Sequence, residues 1–227
     1  MNKIICYILL TAYSIAAGCQ TPQQSQTINT LNEKLKNGAL SITQVLTDPQ
    51  WMPLHSQPAF REVIKQNAKA EMIKLTPPGE PGFNITVEGT VTDRRGKPMS
   101  DLLVYFYQTS AKGWYADTAA HIMASGSDYG HARLFGYIKT DREGKFAFET
   151  IRPEGYPQSD LPAHIHFAFW TADGKQVSGL PGELLFEEDN RLTPERKKEA
   201  LAYGYLVSKN TGTESRGVYA YRLVQRD

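Results

Sequence analysis

Three rhythms of apolar and polar residues divide the chain. From Ile4 to Ile15 the run is almost unbroken apolar, preceded by Lys3 and followed by Ala16, Ala17 and Gly18. Between Leu31 and about Leu75 the spacing is helical. In "PAFREVIKQNAKAEMIKL", Pro58 stands where a helix opens, and Phe60, Val63, Ile64, Ala68 and Met72 fall on one side. Beyond "TPPGEPG", Thr76 to Gly82, the period changes to β. "FNITVEGTVTD" alternates, "LLVYFYQ" is a continuous apolar strand, and "RLFGYIKTD" and "KFAFETI" read as a hairpin around "REG". "AHIHFAFW", "GELLFEE" and "RGVYAYRLVQ" add further strands, with a short helix in "ERKKEALAYGYL". Short strands between turn signals predict a mainly β protein, an antiparallel β-sandwich with a small N-terminal helical segment.

The apolar leader has the order of a secretory signal and is too short for a membrane span. A cysteine after Ala-Ala-Gly resembles a bacterial lipoprotein signal, which implies a leader over residues 1–18 and acylation of Cys19. The expected product is an exported, membrane-anchored lipoprotein of the bacterial cell envelope, with residues 19–30 as a flexible polar tether. Residues 31–76 form the helical segment and 77–227 the sandwich. "LTDPQWMPLHSQPAFREVI" resembles the end of a tetratricopeptide-type unit; one unit makes no solenoid, so this segment is expected to cap the sandwich. Cys6 leaves with the leader, so no thiol pair remains to oxidise and burial alone must stabilise the fold. Without Lys3 the basic and acidic residues balance at 24 each. No basic field draws the chain to nucleic acid or acidic lipid, and its membrane contact is the N-terminal lipid.

"LPAHIHFAFW" places two histidines on a run otherwise suited to a buried strand. Residues two apart on a strand share a face, so His164 and His166 project together while Ile165 and Phe167 take the other side. Buried as a plain pair, each unsatisfied ring nitrogen would cost roughly 1–3 kcal/mol. As ligands they form half of a metal site, one that zinc, copper or iron could occupy.

The surroundings narrow the choice. Gln108 is followed seven residues later by Tyr115; "TDREGKFAFETIRPEGYP" runs from Thr140 to Pro157 and "PAHIHF" from Pro162 to Phe167. In order and spacing these pieces resemble the intradiol ring-cleavage dioxygenases of the catechol and protocatechuate type, over roughly Val87 to Asn190. The resemblance implies four ligands to non-haem ferric iron: Tyr115, Tyr156, His164 and His166. It further implies catalytic roles for Tyr115 and Tyr156, a catechol-like substrate opened between its hydroxyls by dioxygen, and Tyr156 as the ligand that substrate displaces. The chemistry is consistent. Holding a phenol ionised at neutral pH needs roughly 4 kcal/mol, which a trivalent ion supplies, and phenolate is a hard donor suited to a hard ion.

Departures from the family pattern are equally specific. Leu161 stands where the family has an arginine beside the substrate, and losing such a donor typically costs about 3–4 kcal/mol of transition-state stabilisation. Glu183 replaces a glutamine, and Tyr107 a tryptophan. Arg133 and Arg152 are expected as solvated charges that could reach inward, His121 and His131 as loop residues, and His55 as structural. Two other readings stay open. "VEGTVTDRRGKPMSDLLVYFY" also resembles prealbumin-like or carboxypeptidase-regulatory sandwiches, non-enzymatic modules of the cell surface; and the histidine pair could hold a divalent metal without phenolates.

Overall fold

Alternation decides which way each strand faces. In β2 (Asn84–Thr92), Ile85, Val87 and Val91 are fully buried, and in β9 (Gly217–Val224) the buried side is Tyr219, Tyr221 and Leu223. The computed structural model describes residues 22–116 and 132–226, and in it these strands join β1 (Ile73–Lys74) and β5 (Lys145–Ile151) in one sheet of order β1-β5-β2-β9. A second sheet runs β4-β3-β6-β7-β8, from β3 (Leu103–Gln108), β4 (Leu134–Lys139), β6 (His164–Trp170), β7 (Glu183–Phe186) and β8 (Leu206–Ser208). The sheets face each other through aromatic rings. Phe106 stacks on Phe148 with centroids 3.9 Å apart, and Phe167 lies 6.3 Å from Phe148. The expected sandwich is therefore present.

Its pairing is mixed, which corrects the expectation of an antiparallel sandwich. β1 runs parallel to β5, β2 to β9, and β7 to β8. Between β7 and β8 lies α4 (Pro194–Tyr203), and a helical crossover of that length brings the next strand back in the same direction. Thr193 caps α4 through its side chain and Gly204 ends it at φ 90°. The hairpin predicted around "REG" is also absent. β4 pairs with β3, and β5 with β2 and β1, so the turn at Asp141–Gly144 hands the chain from one sheet to the other.

At the N-terminal end, α1 (Pro22–Lys36) occupies most of the stretch expected as a tether. Its composition is polar, but glutamine is a good helix former, and Ile28, Leu31 and Leu35 give it one buried stripe. Next come α2 (Ile42–Thr47), opened by a Ser41–Gln44 capping box, and α3 (Pro58–Gln66). The predicted α3 stripe holds through Phe60, Val63 and Ile64, but the helix stops at Gln66, and Met72 is 59% exposed as the chain straightens into β1. These helices share one core cluster with both sheets. Arg61, almost fully buried, donates to Tyr105 Oη on β3 at 2.9 Å and lies 3.8 Å over the Phe135 ring on β4. The helices thus cover one end of the outer face of the second sheet, and the histidine pair of β6 lies further along that face. Among the described residues no helix is long and apolar enough to cross a membrane.

Candidate metal centre

His164 and His166 leave the same side of β6, their rings edge to face with centroids 4.5 Å apart. Ile165, Phe167 and Phe169 enter the core between the sheets. Each imidazole is turned by its outer nitrogen. His164 Nδ1 lies 2.8 Å from the Pro162 carbonyl, an acceptor only, so that nitrogen carries the proton and Nε2 presents a lone pair. His166 Nδ1 faces the Glu183 carboxylate at 3.6 Å, and its ring stacks on Tyr107 at 4.5 Å. Glu183 is the register partner of His166 across β6 and β7, which puts its carboxylate behind the imidazole.

Both tyrosines come from loops stapled together through their backbones. The chain leaving β3 turns at Ser110–Gly113, where Gly113 N–H donates to Ser110 O and Ser110 N–H to Trp114 O. The loop carrying Tyr156 is drawn against it: Glu154 N–H donates to Ser110 O, Thr109 Oγ1 to Glu154 O, and Gln108 Nε2 to Ile151 O. Gly113 has φ 74°, and a Cβ there would lie 2.2 Å from Gly155 O, so the two loops meet at a distance only glycine permits. Tyr115 is held from its other side by Arg133 N–H, which donates to Tyr115 O at 2.7 Å.

The four side chains named from the sequence meet at one point. Tyr115 Oη lies 2.6 Å from Tyr156 Oη and 3.0 Å from His166 Nε2; Tyr156 Oη lies 2.9 Å from His164 Nε2; the two Nε2 atoms are 3.0 Å apart. Donor bonds of about 2 Å at near right angles leave neighbouring donors about 3 Å apart, so this spacing suits a single ion. The nitrogens give a second indication. The two Nε2 atoms approach to 3.0 Å and each also meets a phenol oxygen, a cluster of donors that a cation would hold together. Glu183 also falls within 4.8 Å of the histidine nitrogens, but on the Nδ1 side of His166, so the phenols rather than the carboxylate share the centre.

A cavity of about 440 Å³ opens over Tyr156, His164 and His166. Leu161, Leu185 and Leu192 form its apolar walls, with Glu183 and the α4 face opposite. Tyr115, 2% exposed, does not line it. Leu161 is 54% exposed, standing in this mouth without a charge to offer. The Glu183 carboxylate, followed by burial, raises the Tyr205 phenol above its ordinary value. Neither arginine considered as a substitute lines the cavity. Arg133, expected as solvated, is largely shielded, its side chain 12% exposed, and bidentate with Glu80, at 2.8 and 2.6 Å. Arg152 sits 3.9 Å from Asp189 and over the Phe186 ring. His55 is structural as expected: buried, 2.8 Å from Arg133 O through Nδ1, and stacked on Phe60. Cys19, His121 and His131 lie outside the described residues.

Sequence reasoning missed Asp189. This buried carboxylate accepts the N–H groups of Ala163 and Arg191, fixing the loop that delivers His164. Its signal was an Asp-Asn pair in a turn just after β7, which marks an Asx-type turn but no partner.

Comparison with known proteins places the chain in a family. A family model described as Dioxygenase matches residues 56–224. Catechol 1,2-dioxygenase 1 of Acinetobacter lwoffii is 32% identical over 133 residues, 49% of this chain and 40% of that protein. The protocatechuate 3,4-dioxygenase beta chain of Burkholderia cepacia is 36% identical over 99 residues, 40% of this chain and 41% of that one. The chain thus spans about two fifths of the length of these relatives. The dioxygenase domain of a dioxygenase carbohydrate-binding protein fusion from Streptomyces sp. SirexAA-E has the same fold, at TM-score 0.50 and 22% identity, over 69% of this chain and 88% of that one.

Proposed function

Because the chain belongs to the intradiol ring-cleavage dioxygenase family, we propose that it binds non-haem ferric iron and opens a catechol-type ring between its two hydroxyls with dioxygen. The observation that carries this reading is the convergence of two phenol oxygens and two imidazole nitrogens within 2.6–3.0 Å of their neighbours. Tyr115, Tyr156, His164 and His166 would hold the ion. When bound, it would supply Lewis acidity and a template that orients the substrate.

The remaining chemistry belongs to the chain's own groups. Tyr156 Oη borders the cavity and Tyr115 Oη lies behind it, so Tyr156 is the phenolate that takes a proton from an incoming catechol hydroxyl. The Pro162 carbonyl holds the His164 imidazole in the tautomer that directs Nε2 inward, and the Glu183 carboxylate lies on the outer side of His166. Leu161, Leu185 and Leu192 exclude water from the ring. One observation favours a second reading, an iron-binding protein that chelates catechols with little turnover: Leu161 supplies no cation where ring opening builds negative charge. For localisation, the Cys19 pattern supports export and anchoring through an N-terminal lipid at the bacterial cell envelope.

The test is metal analysis with visible spectroscopy on one iron-loaded sample. About one iron per chain and a broad phenolate-to-iron band are expected; Tyr156→Phe should shift the band and His164→Ala should lose the metal. Catechol with dioxygen should yield a muconate-type diacid. A colourless, iron-free chain after loading would leave a non-enzymatic sandwich, and a catechol-induced colour change without diacid would leave the chelating reading.

A further inference from the structure

The cavity over the centre is bordered by one face of α4, where Arg196, Glu199, Ala200 and Tyr203 recur at helical spacing. The same face borders a second cleft of about 750 Å³, and the two clefts share Arg196 and Glu199. Their charges are unequal. Carboxylates of Glu183, Glu199, Glu154, Asp160 and Glu195 line them against the guanidiniums of Arg191 and Arg196. Both guanidiniums are engaged: Arg191 pairs with Glu154, while Arg196 donates to the Asp160 and Arg191 carbonyls and lies 3.6 Å from the Asp160 carboxylate. Glu183 faces a histidine that is neutral when it binds metal, and among the described residues no cation pairs with Glu199. At the mouth, the exposed Leu161 adds no charge to offset them.

From this imbalance we propose that the site selects catechols whose ring carries an ammonium or an uncharged substituent and rejects those whose ring carries a carboxylate. The inference rests on the proposed catechol site. A negative mouth lowers the local concentration of anionic ligands and raises that of cationic ones, and a carboxylate brought beside Glu183 and Glu199 meets a guanidinium, Arg196, already engaged at Asp160 and Arg191. Tyr205 already registers this field, its phenol raised chiefly by Glu183. The walls remain apolar, so the aromatic ring itself is accommodated whatever its substituent.

The experiment titrates the full iron-loaded chain with three probes, following the visible band, with calorimetry as a check. The probes are methylcatechol (uncharged), dopamine (ammonium tail) and hydrocaffeate (carboxylate tail). Dopamine is expected to bind at least about tenfold more tightly than hydrocaffeate, a difference equivalent to about 1.4 kcal/mol. The ratio should shrink in Glu199→Gln, and again in Glu183→Gln, and should fall with added salt. Methylcatechol binding with no preference between the charged probes, or with hydrocaffeate preferred, overturns the inference and leaves the catechol site standing. A band that responds to none of the three probes overturns both.

Discussion

Replacing Gly113 by alanine tests whether the approach of two loops holds the phenols together. Gly113 and Gly96 have nearly the same backbone conformation, φ 74° and φ 80°, but different surroundings. At Gly96 an added Cβ meets nothing within 4 Å; at Gly113 it lies 2.2 Å from the Gly155 carbonyl oxygen and 3.0 Å from Pro157 Cδ. Either alanine bears the left-handed penalty of about 1–2 kcal/mol. Gly113→Ala alone must also move backbone, and forced overpacking typically costs about 1–3 kcal/mol more. The structure therefore calls for a loss of about 2–5 kcal/mol at Gly113 and about 1–2 kcal/mol at Gly96, read from urea unfolding of the iron-free chains. Gly113 stands two residues before Tyr115 and Gly155 one before Tyr156, so the displaced backbone also separates the two oxygens. Iron affinity and the visible band should fall in Gly113→Ala and stay unchanged in Gly96→Ala. Equal stability losses, or an unaltered iron site in Gly113→Ala, would refute the account of how Tyr115 is placed.

Other expectations follow from single contacts. Glu80→Gln leaves the Arg133 guanidinium, 12% exposed, without its carboxylate, and should destabilise the chain by about 3 kcal/mol in urea unfolding. Burial, reinforced by Glu188, pushes the Tyr219 phenol up to about 12. An unfolded phenol ionises near 10, so between about pH 10 and 12 the unfolded chain loses a proton that the folded chain keeps, and stability should fall as pH rises through that window. Tyr219→Phe should flatten the slope, and a slope equal to that of the unsubstituted chain would show that the phenol does not contribute. The full chain expressed in a bacterium should incorporate labelled palmitate and sediment with membranes, and Cys19→Ala should do neither; label retained in that variant would remove Cys19 as the acylated residue.

What could be read from the sequence was whatever depends on local period. Two-residue alternation put both histidines of β6 on one face, and the helical spacing of Phe60, Val63 and Ile64 marked the side of α3 that packs on the sheet. Pairing was not local. The turn "REG" has the residues of a hairpin, yet the side chains of β4 and β5 find their partners in different sheets, and no spacing rule distinguishes a turn within a sheet from one between sheets. α1 runs against its polar composition: Ile28, Leu31 and Leu35 are three residues among polar neighbours, but at i, i+3 and i+7 they suffice to dock a helix. At the centre, Tyr115 and Tyr156 were identified only through their register with a family pattern. As residues of irregular loops they carry no period, and their meeting depends on Gly113, Gly155 and three hydrogen bonds that no single stretch encodes.

The same contacts give the helical segment a part in the site that neither its composition nor its spacing announced. Arg61 and His55 both reach the stretch that re-enters the second sheet at Ala132 and Arg133: Arg61 donates to the Ala132 carbonyl, and His55 Nδ1 lies 2.8 Å from the Arg133 carbonyl. Arg133 N–H then donates to Tyr115 O, while its side chain is clamped by Glu80. Three groups therefore fix, from outside the sandwich, a residue whose amide holds the backbone of Tyr115. Burial lowers the pKa of Arg61, a cost that an ordinary capping helix would avoid by presenting an apolar residue to Phe135. A charge retained there, with its nitrogens directed to Tyr105 Oη and to the carbonyls of His55 and Ala132, is explained by the positions it fixes rather than by packing. The helices and the phenol are thus linked through one chain of contacts, and perturbations of the segment should register at the meeting point of the phenols and imidazoles before they register in the sheets.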